Sequence, residues 1–79
     1  MTLAHLDKHR SGEIVSISNE RGVAQRLMAL GFLPGTPVEV VAVAPFGDPI
    51  TVRLGEWRVS LRRSQAALVE ITTDDRDRH

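Results

Sequence analysis

The segment LGFLPGTPVEVVAVAPFGDPITVRLG, residues 30–55, holds all four prolines and four of the six glycines of a 79-residue chain. Proline fixes its own φ and donates no backbone hydrogen bond, while glycine alone takes the left-handed region at little cost. Between these breakers stand short runs of Val, Ile and Leu. Chain interrupted this often has no room for long helices or a doubly wound sheet. It has room for short strands joined by tight turns.

There is no cysteine, so neither a disulfide nor a thiolate-bound zinc can staple the fold. A chain of this length buries roughly 60% of the surface its unfolded form exposes, so its core is thin and rests on side-chain packing. Absence of cysteine suits a reducing compartment. The opening MTLAHLDKHR is polar and has no signal-peptide character, and no run approaches the ~18 apolar residues of a membrane span. The expectation is a soluble, cytoplasmic protein. Ten basic residues balance ten acidic ones, so net charge gives no pull toward nucleic acid or anionic lipid.

GEIVSIS, residues 12–18, reads as a strand entered through Gly12. The period then lengthens. Val23, Leu27 and Leu30 recur at helical spacing beside Ala24 and Met28, with Arg21, Gln25 and Arg26 opposite, which predicts one amphipathic helix of about three turns. Ser18 or Asn19 is positioned as its N-cap and Gly31 as its C-terminal stop; Gly22 weakens the first turn. In LPGT, Pro34 and Gly35 occupy the second and third places of a type II turn. VEVVAVA (38–44) is a strand, PFGDP (45–49) a loop, ITVRL (50–54) and WRVSL (57–61) a hairpin across Gly55–Glu56, RRSQAA a single helical turn, and LVEI (68–71) the last strand. The domain spans 1–72, and 73–79 is a charged tail expected to be disordered.

Polarity fixes the hairpin register. With a two-residue turn of type II′, Leu54 faces Trp57, Arg53 faces Arg58, Val52 faces Val59, Thr51 faces Ser60 and Ile50 faces Leu61, so every pair matches. Trp57 then falls on the apolar side, as core or barrel-end packing, or as the lining of a groove if that end is open. Five short strands, tight turns and one helix between the first and second strands predict a mostly β fold: a small, closed, SH3-like antiparallel barrel.

Catalytic motifs are lacking: no P-loop, no GxGxxG, no HExxH. His5, Asp7 and His9 form the one cluster of ligand-type side chains, a weak candidate site for a transition metal such as Fe(II) or Zn, with a solvated N-terminal edge as the plainer reading. Asp48 is positioned to accept local backbone N–H bonds in its turn. The polar hairpin face is more informative. Arg53 opposite Arg58 is unfavourable by a fraction of a kcal/mol, and Arg62 and Arg63 follow. Either Glu13, Glu39, Glu56, Glu70 or water relieves this charge, or the face meets an acidic or phosphate-bearing partner. Zero net charge and few aromatic residues weigh against a nucleic-acid-binding barrel using Arg53, Arg58, Arg62 and Arg63.

The order of motifs from Arg26 to Ile71 resembles the FeoA family, ferrous iron transport protein A of bacteria. Arg26, Leu27, Leu30 and Gly31 close the helix; Pro34, Gly35 and Thr36 make the turn; Ala44, Pro45, Gly47, Asp48 and Pro49 form A-P-x-G-D-P; Leu61, Arg62, Ala66 and Ile71 complete the series. The resemblance implies an SH3-like barrel, a non-enzymatic role in ferrous iron uptake with no required cofactor, and a partner in the cytoplasmic GTP-binding domain of a FeoB-type transporter. That partner would recruit the chain to the inner face of the membrane; self-association is compatible with it. Candidate contacts are Leu33, Pro34 and Gly35 in the first turn, Pro45, Phe46, Gly47 and Asp48 in the loop, and Arg53, Arg58 and Arg62 on the hairpin.

Overall fold

A computed structural model describes residues 1–73. Five strands form one antiparallel sheet: β1 (Ser11–Ile17), β2 (Pro37–Val43), β3 (Ile50–Leu54), β4 (Trp57–Leu61) and β5 (Val69–Thr73), in the order β4-β3-β2-β1-β5. Helix α1 (Val23–Ala29) lies between β1 and β2, and the short α2 (Arg63–Ala66) between β4 and β5. β5 takes in Thr73, one residue beyond the expected domain end; the rest of the predicted tail lies outside the described residues.

The hairpin register is the one that polarity matching requires, pair for pair from Leu54–Trp57 to Ile50–Leu61. Gly55 at its turn has φ 62°, and Gly35 in LPGT has φ 88°, with the Thr36 N–H donating to the Leu33 carbonyl at 3.0 Å as a type II turn demands. Buried side chains of β1, β2, β3 and β5 (Ile14, Val38, Val40, Ile50, Val52, Val69, Ile71) meet Leu27 and Phe32 in one apolar core.

Several expectations are corrected. The sheet is strongly bent but not closed: no ladder joins β4 to β5 among the described residues, and α2, with Ala66 fully buried, bridges the gap. Plain alternation would set Ile14 with Ser16 and Val40 with Ala42; a bulge between Ile14 and Ser16 instead brings Ile17 against the core, and another between Val40 and Ala42 brings Val43 there, paired with Ile50. Simple alternation could not foresee these one-residue slips. The helix is two turns long, not three. Gly22 has φ 72°, which ends the 3₁₀ turn Glu20–Gly22 and starts α1 at Val23; Asn19 makes no side-chain capping bond. Leu30 is exposed because α1 stops before reaching it, and Phe32 fills the core instead.

His5, Asp7 and His9 are exposed, yet the segment that carries them is anchored to the sheet. Leu3 (fully buried) and Leu6 belong to the core, on and after a 3₁₀ turn Leu3–His5. The Ile71 N–H donates to the Met1 carbonyl at 2.8 Å, Thr2 bridges to Glu70, and the Met1 ammonium pairs with Glu70 at 2.8 Å. The first residues therefore cover the outer edge of β5. Gly12 is more than a turn residue: a Cβ there would lie 2.5 Å from the Thr72 carbonyl oxygen, so this β1–β5 contact admits only glycine.

Candidate functional site

The candidate contact residues separate into three places. In the first, Arg53 pairs with Glu39 on the neighbouring strand β2, beside a shallow depression lined also by Ser11, Pro37 and Gly55. Its charge is met within the sheet, so the Arg53–Arg58 repulsion is relieved on one side only. Arg58 has no carboxylate partner among the described residues.

The second place is the loop after β2, which works as a latch. The Asp48 carboxylate accepts the Arg63 backbone N–H at 3.0 Å, the donor at the first position of α2. Its partner is thus fifteen residues away rather than local, which corrects the expectation of a turn bond. The Arg63 guanidinium donates to the carbonyls of Gly47 and Ala4. Arg63 therefore ties the loop, α2 and the N-terminal segment together and is not a free surface charge. Arg62, at the N-cap of α2, is exposed, and its N–H donates to the Gln65 side chain at 3.1 Å. Pro45 is exposed beside Phe46, whose side chain is wholly exposed and stands clear of this latch.

The third place is the open end of the hairpin. Trp57 is 74% exposed and lines a groove, the second of its two sequence readings, rather than packing inward. It is the first residue of the edge strand, with no strand beyond it among the described residues, and α1 ends at Ala29. Met28, Leu30 and Leu33 are also exposed, and with Trp57, Arg58 and Val59 they line an open groove of about 640 Å³. Leu33 and Arg58 are thereby brought to one site; Pro34 and Gly35 follow Leu33, and the Gly35 N–H is bound to the Ile14 carbonyl at 2.7 Å. Sequence reasoning missed Met28 and Leu30 because helical spacing assigned them to the buried face. The helix-stopping Gly31, just before the exposed Leu33, was the signal available.

His5, Asp7 and His9 do not assemble a metal centre. His5 Nδ1 lies 3.1 Å from the Thr2 hydroxyl, the His9 N–H is bound to the Val40 carbonyl, and no group of three or more His, Asp or Glu side chains able to hold a metal occurs among the described residues. No helix among them is long and apolar enough to cross a membrane.

A bent five-stranded antiparallel sheet with two short helices, an SH3-like domain, is the class these features define. The FeoA domain model matches residues 1–73, and the chain belongs to the FeoA family. It is 34% identical over 71 residues to a fusion protein of Fe(2+) transport protein A and Fe(2+) transporter FeoB from Porphyromonas gingivalis; the match covers 90% of this chain and 8% of that protein's length. The solution structure of FeoA from Chlorobium tepidum superposes with TM-score 0.85 at 33% identity, covering 92% of this chain and 70% of that one. The crystal structure of Stenotrophomonas maltophilia FeoA complexed with zinc, described as an SH3 domain protein, superposes with TM-score 0.81 at 37% identity, covering 91% and 89%.

Proposed function

We propose that this chain is a non-enzymatic, cytoplasmic accessory module of ferrous iron uptake. It docks on the GTP-binding domain of a FeoB-type transporter, is held at the inner face of the membrane by that partner, and regulates it. The Porphyromonas gingivalis fusion carries this reading, because there a segment matching 90% of this chain is covalently joined to a FeoB transporter. Tethering keeps two modules together at effective concentrations on the order of millimolar. A module without that tether would reach the same partner by surface affinity. The exposed groove and the unpaired Arg58 supply a surface suited to that. The Stenotrophomonas maltophilia protein is described as a candidate ferrous iron transport activating factor, which agrees in sense. Iron is the transporter's cargo on this reading, and the accessory chain acts by binding protein.

Calorimetry against the transporter's cytoplasmic domain, with GDP, with a GTP analogue, and with the intact transporter in membranes, tests the reading. Saturable binding in at least one state is expected. No heat in any of them would sink it.

A further inference from the structure

The sheet has two outer edges, and the described residues cover only one. At β5 the residues Met1 and Thr2 lie along the strand. At β4 no strand lies outside among the described residues. The two-residue turn makes Leu54 and Trp57 a hydrogen-bonded pair, and bonded and non-bonded pairs alternate along an antiparallel ladder. Val59 and Leu61 therefore bond to β3, while the N–H and C=O groups of Arg58 and Ser60 are directed outward. No other backbone bond reaches them among the described residues. Proteins blunt such edges with charge, proline or a covering segment, since a bare edge templates strand addition. Here the edge strand carries one charge, the exposed Arg58, and beside it an apolar ring that is 74% exposed, Trp57.

The apolar groove runs beside this edge. Trp57, Arg58 and Val59 line it from β4, and Met28, Leu30 and Leu33 from the end of α1 and the loop after it. Successive side chains on a strand point to opposite faces. A strand added to β4 would place every second side chain over Trp57 and Val59, in the groove. Its intervening side chains would alternate with these, at the level of Arg58, which lies between Trp57 and Val59 at the groove's rim and whose charge no described carboxylate meets. Opposite charges across a ladder are favourable, as like charges are not.

We propose that β4 receives an extended segment of a protein partner, one that alternates apolar with acidic residues, by strand addition. Backbone bonds to Arg58 and Ser60 would supply affinity, and the groove and Arg58 would select the sequence. This rests on the reading of the chain as a docking module and names the surface and the chemistry of what docks.

The test uses the chain's single tryptophan and its edge amides. Three probes are titrated into the whole chain: the transporter's cytoplasmic domain, a synthetic peptide alternating Val and Glu, and mixed phosphatidylcholine–phosphatidylglycerol vesicles. Control peptides carry Lys for Glu or a central proline. Amide exchange is followed by NMR. The expected result is a blue shift of Trp57 emission, with slowed exchange at Arg58 and Ser60, for the domain and the Val–Glu peptide but not the controls. Arg58→Glu should weaken peptide binding roughly tenfold and favour the Lys peptide instead. Ser60→Pro should weaken both peptides; if that variant does not fold, the wild-type amide protection decides. If the cytoplasmic domain binds while Arg58 and Ser60 stay unprotected, docking lies elsewhere and the inference falls, although the proposed function survives. If only the Val–Glu peptide binds, with protection, the edge site stands and the proposed partner falls. A response to vesicles alone, or to no probe, overturns the inference.

Discussion

The two edges of the sheet differ in what they expose. Along β5, Met1 and Thr2 pair with the strand and Leu3 anchors them with a fully buried side chain. Along β4, Arg58 and Ser60 keep outward backbone groups, and Trp57 stands in solvent beside a groove. Among the described residues one edge is covered and the other bare. In a thin-cored protein that contrast separates the region that holds the fold from the one proposed for recognition.

Mutations should divide along this line. Leu3→Ala removes a fully buried side chain holding the covered edge, and a loss of about 2–5 kcal/mol is expected in urea denaturation. Gly12→Ala, on the β1–β5 seam, forces a Cβ to within 2.5 Å of the Thr72 carbonyl, with about 1–3 kcal/mol lost by the same measurement. If either variant kept wild-type stability, the β5 edge would not be the structural one. Asp48→Ala takes away the acceptor for the first N–H of α2, the helix that bridges the gap between the edges; about 1 kcal/mol is expected. Arg53→Ala should cost at most ~1 kcal/mol, since its pair with Glu39 is largely exposed, whereas Arg58→Ala should be neutral or slightly stabilising. Trp57→Ala is expected to shift stability by no more than ~0.5 kcal/mol, because the ring is 74% exposed, while abolishing the fluorescence response to a bound partner. A large loss of stability from Trp57→Ala would erase the contrast.

The strands and the hairpin register were legible because each rests on local chemistry. Pro34–Gly35 and Gly55–Glu56 specify their turns within four residues, and five matched pairs pin β3 to β4. The candidate contacts were legible only as a pool. Arg53, Arg58, Arg62 and Arg63 look alike along the chain, yet one pairs with Glu39, one ties a loop to α2, and two are exposed without a described carboxylate. Leu3 and Trp57 were not legible from their neighbours. No local pattern marks Leu3 as core, and the sequence left Trp57 open between packing and groove lining; contacts distant in the chain decided both.

The sequence alone settled where this chain turns, which residues lie on each side of its β3–β4 hairpin and which family it resembles, because proline, glycine and polarity act over a few residues. Only the tertiary structure decided which edge is covered, where the bulges fall and which arginines find partners among the described residues. Those depend on contacts such as Met1 with Ile71 and Asp48 with Arg63, between residues that the sequence keeps far apart.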